Sequence, residues 1–196
     1  VLEVPAESLG TDTLAVYAKD GALRVYDQNT GAILTDTVVA PIEGLQRTDL
    51  YNVEGGWVWL RQYDNDDYEA TTRTVCGPNG TNKTLDLDAI KARYGADFHG
   101  YLWPVTAAGG EFYFSVSYQG PGQNWLYDLI DSNGNVVLAG LGSCNGYYTN
   151  TANPLPDGVF VARKGFEYGW MDLHGQWVYC QNIFYSSGDD AENYYF

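Results

Sequence analysis

The feature that most restricts what this chain can fold into is a recurring strand. Four times, a Gly or Asp introduces a short run of alternating aromatic and β-branched residues: Asp12-Thr13-Leu14-Ala15-Val16-Tyr17, Gly55-Gly56-Trp57-Val58-Trp59-Leu60, Gly109-Gly110-Glu111-Phe112-Tyr113-Phe114 and Asp157-Gly158-Val159-Phe160-Val161-Ala162. Alternation with a period of two is the pattern of a strand that buries one face. Each run leads into a second strand that ends in a glycine turn, at Asp27-Gln28-Asn29-Thr30-Gly31, Gly77-Pro78-Asn79-Gly80, Asp131-Ser132-Asn133-Gly134 and Asp172-Leu173-His174-Gly175. The closing glycines stand 49, 54 and 41 residues apart, a period that belongs to propeller blades and related sheet repeats. A third strand begins beyond each turn, as in Val136-Val137-Leu138 and Gln176-Trp177-Val178-Tyr179, so each unit is a meander of at least three strands. The expected fold is all-β: a single domain of antiparallel meander repeats, propeller-like, with about four units at 12–50, 51–108, 109–156 and 157–186.

Turn chemistry explains why the same residue types recur. Reversing a strand in a few residues needs positive φ, which Gly adopts freely and Asn better than most. An Asp at the turn entry can accept hydrogen bonds from the backbone N–H groups just downstream. Asp27, Asp131 and Asp172 are therefore read as turn-formers rather than as catalytic acids. One segment breaks the β pattern. Thr84-Leu85-Asp86-Leu87-Asp88-Ala89-Ile90-Lys91-Ala92-Arg93-Tyr94-Gly95 carries acids early, bases late and Gly at the end, the start and stop signals of a short helix. Leu87, Ile90 and Tyr94 then share a face that can lie on the sheet, which makes this helix an insertion in the second unit.

Composition narrows the function classes. With 10 Lys and Arg against 25 Asp and Glu, the formal net charge is −15, a surface that repels phosphate backbones, so neither nucleic acid nor anionic membrane is an expected partner. An aromatic fraction of 15% excludes a disordered chain, and the apolar runs are too short for insertion into a membrane. Cys76, Cys144 and Cys180 form no CxxC pair; they are read first as small apolar residues packed in a sheet, with one disulfide among them as the alternative. The chain starts at Val1 without a basic and apolar leader and reads as a processed or trimmed product, and its low Lys content with many Tyr, Asn and Gly leans toward an exported bacterial protein. The sequons at Asn79 and Asn82 would matter only in a eukaryotic secretory host.

Catalytic constellations are scarce. There is no Gly-x-Ser-x-Gly elbow, no His-Glu-x-x-His, no P-loop and no dinucleotide fingerprint. His174 falls in a hairpin tip and reads as solvated; His99, flanked by aromatics in Asp97-Phe98-His99-Gly100-Tyr101, reads first as a packed structural histidine. No cofactor is expected. The one weak metal candidate is calcium, at the oxygen ligands Asp64, Asp66, Asp67 and Glu69, although this acidic run lacks EF-hand spacing and reads first as a solvated hairpin tip. Trp57 and Trp59 share a face and read as core. Trp125, after the loop-like Gln119-Gly120-Pro121-Gly122-Gln123-Asn124, and Tyr147 and Tyr148, in an Asn-Gly context, read as exposed. With Trp103 they are the candidate ligand contacts, because aromatic faces supply contact area at low entropic cost.

The last unit, Gly165-Phe166-Glu167-Tyr168-Gly169-Trp170-Met171-Asp172-Leu173-His174-Gly175-Gln176-Trp177-Val178, resembles a WG repeat: a Gly-aromatic-apolar-Asp strand, a short turn with Gly, and an aromatic or apolar strand. Tyr127 to Val137 is a looser copy, Arg24 to Gly31 is looser still, and the second unit has Cys76-Gly77 where the strand Asp would stand. The resemblance implies a β-repeat domain of bacterial exported or surface proteins, with interaction rather than catalysis as its role and no family-wide catalytic residues. The chain thus reads as a non-catalytic binding module, extracellular or on the cell surface, whose partner is a protein or a glycan there. The competing readings are a carbohydrate-active hydrolase using a carboxylate pair, and a structural spacer.

Overall fold

The computed structural model describes residues 13–41, 43–44, 47–53, 56–63, 72–95, 98–145 and 157–182. Among these residues the fold is all-β with one α-helix, and the strands form four antiparallel meander sheets in chain order. The first sheet has β1 (Thr13–Tyr17), β2 (Ala22–Asp27) and β3 (Ile33–Val38). The second has β4 (Arg47–Val53), β5 (Trp57–Tyr63), β6 (Thr72–Gly77) and β7 (Thr81–Thr84). The third has β8 (Phe98–Ala108), β9 (Glu111–Gln119), β10 (Trp125–Asp131) and β11 (Val136–Leu141). The fourth has β12 (Ser143–Asn145), β13 (Val159–Lys164), β14 (Glu167–Asp172) and β15 (Trp177–Asn182). The four aromatic runs of the sequence are β1, β5, β9 and β13; in the last three sheets a further strand, β4, β8 or β12, pairs ahead of the run.

The glycine turns form as the residue types dictate. Asp27 Oδ1 accepts the N–H groups of Asn29 and Thr30 at 2.9 and 2.8 Å. Asp131 Oδ1 accepts those of Asn133 and Asn135 at 2.8 and 2.9 Å, and Asp172 Oδ1 those of His174 and Gln176 at 2.9 and 2.8 Å. Gly31, Gly134 and Gly175 close these turns with φ of 72°, 80° and 75°, the left-handed region that a Cβ makes costly. The second unit does without the Asp. The Trp57 ring lies against the Cα of Gly77, where any Cβ would collide with it, and a 3-10 turn at Pro78–Gly80 makes the reversal.

Each sheet packs on the next through an apolar core. Ala15, Leu23 and Val25 of the first sheet meet Leu50, Val58, Leu60 and Cys76 of the second. Trp57, Trp59 and Val75, on the opposite face of the second sheet, meet Phe112, Phe114, Val116 and Ile130 of the third. Leu129 and Leu141 of the third meet Cys144, Phe160, Ala162 and Met171 of the fourth. Polar ties fix the junctions: Tyr17 Oη, which accepts from Gln62 Nε2 at 3.1 Å, donates to the Val39 carbonyl at 3.0 Å, and Thr35 Oγ1 donates to the Gly56 carbonyl at 2.6 Å. All three cysteines are free thiols. Cys76 and Cys144 are buried in different cores, as small apolar residues would be, whereas Cys180 on the last strand is exposed.

Two outcomes follow. Trp59→Ala, which removes a fully buried indole from the second junction, lowers unfolding free energy by about 3–5 kcal/mol in urea titration. Hydrogen bonds from Thr30 and Asn29 hold the exposed Asp27 carboxyl below its ordinary range, and at Asp131 those from Asn135 and Asn133 outweigh the opposing effect of burial. A carboxyl depressed on folding contributes stability that is full above its unfolded pKa of about 3.9 and is lost as pH falls below it. Asp131→Asn therefore flattens the acid limb of the stability–pH profile and leaves the region above pH ~6 with little slope change.

Candidate functional site

The helix α1 (Leu87–Tyr94) is where the strand pattern is interrupted and where a recess opens. Asp86 starts it by accepting the Ala89 N–H at 2.9 Å, and Gly95 ends it with φ of 58°. Ile90 is buried in the junction of the second and third sheets, with Leu87 and Tyr94 packed beside it, the face expected from their spacing. Tyr94 on the last turn lies over Tyr118 near the end of β9, with ring centroids 5.1 Å apart and planes tilted by 36°.

Asp128 ties the two tyrosines together. It stands on β10, 6% exposed, on the strand face shared by Leu126 and Ile130. Its Oδ2 accepts the Tyr94 hydroxyl at 2.9 Å, and its Oδ1 accepts the Tyr118 hydroxyl at 3.0 Å and the Gly140 N–H at 2.9 Å. The last bond explains a break in pairing. Between Tyr127↔Leu141 and Leu129↔Leu138 the register slips, and Gly140, with φ of 68°, turns its N–H onto the carboxylate at that slip. Burial, reinforced by the Asp128 charge and by the hydrogen bond to the neutral hydroxyl, pushes the Tyr118 phenol up to about 12. Burial followed by Asp128 drives Tyr94 upward as well. Both hydroxyls stay protonated at neutral pH, with their protons given to Asp128.

Beside this pair is an open depression of about 580 Å³, lined by Arg93, Tyr94, Tyr118, Gln119, Gly120, Pro121 and Gly122. Its wall is the tight β9–β10 connection, closed by the Gly120 N–H donating to the Asn124 carbonyl at 2.9 Å and by Gly122 at φ of 78°. Arg93, exposed on the helix, places a guanidinium at the rim. The recess therefore offers aromatic surface, the Tyr118 hydroxyl and one cationic side chain, the means to hold a polar ring-shaped ligand.

The residues expected to contact a ligand are not gathered here. Trp125 is 42% exposed, as expected for its loop-flanked position. It pairs with Gln119, one of the residues that line the depression, on the face of β10 opposite Leu126 and Asp128, and is not itself among the lining residues. Trp103 instead joins a compact cluster at the second junction. Its ring meets Tyr51 edge-on, with centroids 5.9 Å apart at 85°, and the Arg61 guanidinium carbon lies 5.5 Å from its centroid and 4.5 Å from that of Tyr51. Arg61 also donates to the Tyr51 hydroxyl and, at 3.4 Å, to Asp49, which Arg47 reaches at 3.2 Å. The cluster is a latch between sheets, with Arg61 largely enclosed. Tyr147, Tyr148, Asp64, Asp66, Asp67 and Glu69 lie outside the described residues, as does the side chain of His99. Among the described residues no three His, Cys, Asp or Glu come together to hold a metal ion. His174 is exposed at its hairpin tip. Burial pushes the Cys76 thiol up to about 12, and burial followed by the Asp128 charge raises Cys144 further, so neither supplies a thiolate at neutral pH.

Sequence reasoning placed Tyr94 on the packed face of the helix but did not connect it with Tyr118 and Asp128. The available signal was Asp128 itself, an acid at an inward position between Leu126 and Ile130. A family model described as a domain of unknown function (DUF5046) matches residues 7–190. No curated protein matches the chain.

Asp128→Asn tests the triad. Tyr118 should then ionise at lower pH, read as an alkaline ultraviolet titration component that moves down from about 12 toward the exposed tyrosines. A titration identical to that of the parent would show that Asp128 does not govern Tyr118.

Proposed function

We propose that this chain, which belongs to the family described as a domain of unknown function (DUF5046), is a non-catalytic binding module of an exported bacterial protein that holds a glycan at the cell surface. The observation that carries the reading is the depression beside α1. There Tyr94 and Tyr118 are fixed by Asp128 and face a rim that bears Arg93. Fixed rings lose little entropy when a ligand stacks on them. The Tyr118 hydroxyl oxygen can accept from a sugar hydroxyl while Arg93 donates. Asp128 engages three donors and so acts as a holder of the tyrosines rather than as a reacting acid.

Two further elements belong to the proposal. The likeness of the last unit to a WG repeat supports an interaction role. The order of the sheets, each packed on the next through equivalent strands, supports a propeller-like arrangement of blades. The charge of −15 favours neutral glycans over phosphate polymers.

The test is an array of bacterial and host glycans and cell-wall polymers probed with the parent protein, Tyr118→Ala, Arg93→Ala and, as a control at an exposed position of the fourth sheet, Phe166→Ala. Saturable binding that weakens tenfold or more in the first two variants and persists in Phe166→Ala is the expected result. A blank array, or binding that Tyr118→Ala leaves intact, overturns the reading.

A further inference from the structure

The three junctions between sheets share one register, and that register leaves two faces over. On the strand before each glycine turn, the residue two positions ahead of the turn's first residue faces the following sheet. Val25, Val75 and Leu129 hold this position and are fully buried in the first, second and third cores. Their cross-strand partners Ala15, Trp59 and Ser115 are buried with them. In the fourth sheet the cross-strand partner, Val161, is buried as in the other three, but the residue at the position itself, Trp170, stands open. It is 44% exposed, and its neighbour Tyr179, 55% exposed, lies with its ring centroid 5.7 Å away.

The opposite faces follow the same rule. Val58, Phe114 and Phe160, which face the preceding sheet, are completely buried. They pair with Cys76, Ile130 and Met171, buried likewise. In the first sheet the equivalents are Leu14 and Tyr26, which pair with each other and are only half-buried. Beside them Ile33, paired with Tyr26, and Val38 are 53% and 65% exposed. The molecule thus carries both halves of one more junction of the kind it builds three times: an aromatic following face on the fourth sheet and an aliphatic preceding face on the first.

From this we propose that the fourth sheet docks on the first sheet of a second copy of this chain, head to tail, with Trp170 and Tyr179 covering Leu14, Tyr26 and Ile33. The contact is heterologous, so its rotation decides whether two copies close a ring or more copies add in a row. The first sheet's face carries one charged row, Arg24 and Asp36, between the apolar rows Leu14–Tyr26–Ile33 and Ala22–Val38. The Arg24–Asp36 ion pair, at 3.2 Å, neutralises its own charges on the first sheet. A sheet face of this kind packs on another sheet in all three internal junctions, which makes a sheet the fitting occupant.

Sedimentation velocity of the full chain over a hundredfold concentration range tests this, with Trp170→Arg, Ile33→Arg and an equimolar mixture of the two. Each substitution is at an exposed position, and thermal unfolding of each variant checks that the fold is kept. The expected result is association of the parent into dimers or longer species, weakened at least tenfold in either variant alone. In the mixture each variant supplies the face the other lacks, so one-to-one dimers return. A parent that stays monomeric throughout overturns the proposal. So does an Ile33→Arg variant that still dimerises, which would mean that two fourth sheets meet. A fall in monomer melting temperature on Trp170→Arg without any change in mass would place that face against the chain itself, and overturns it too.

Discussion

A sheet that is apolar on both faces cannot stand alone in water, and the second and third sheets of this protein are of that kind. Trp57, Trp59 and Val75 point one way from the second sheet, while Val58, Leu60 and Cys76 point the other. Full burial of an aliphatic or aromatic side chain is worth about 1.5–3 kcal/mol, so leaving either face wet would offset much of the net stability of a domain of this size. The sheets must therefore be sandwiched, and a linear order of neighbours follows directly from the chain's meander. The paired rings Trp57–Phe112 and Trp59–Phe114, with centroids 5.2 and 5.1 Å apart, set the spacing and alignment of the middle junction.

The recess lies where that junction stops being purely apolar. Along β9 the inward residues run Phe112, Phe114, Val116 and then Tyr118, and the last carries a hydroxyl that must be satisfied. Asp128 satisfies it, but a buried carboxylate in turn needs donors, and Tyr94 from the inserted helix and the Gly140 N–H at the register slip supply them. Helix, bulge and tyrosine pair are thus one solution to one buried charge. The same solution leaves two aromatic rings at a surface depression instead of under a neighbouring sheet.

Much of the architecture was legible because it rests on local chemistry. The alternation in Trp57 to Leu60, the Asp-to-Gly turns and the acids-then-bases order of the helix each act within a few residues, and each took the form its residue types require. The strands β4, β8 and β12 were harder to assign to their sheets, since a strand's pairing partner is a long-range choice that its own sequence does not encode. The turn at Gly77 departs from its siblings because of a single ring, that of Trp57, packed over a backbone that has no room for a Cβ. The site was less legible for the same reason. Tyr94, Tyr118 and Asp128 are separated in sequence and meet only through tertiary packing, whereas the loop before Trp125 is a local signal that points to Trp125 instead. Trp103 proved to be part of an interior latch because the guanidinium of Arg61 sits close by, a partnership no local pattern announces.

Four sheets share stability through three successive cores, and the two inner sheets are held from both sides. Native-state amide hydrogen exchange measures this most directly, since it reports the opening free energy strand by strand. Amides of β5, β9 and β10 are expected to exchange only through global unfolding and to form a single slowest class, while β3 and β15 open at lower cost. Four sheets that exchange as independent units, with β5 no slower than β15, would contradict it.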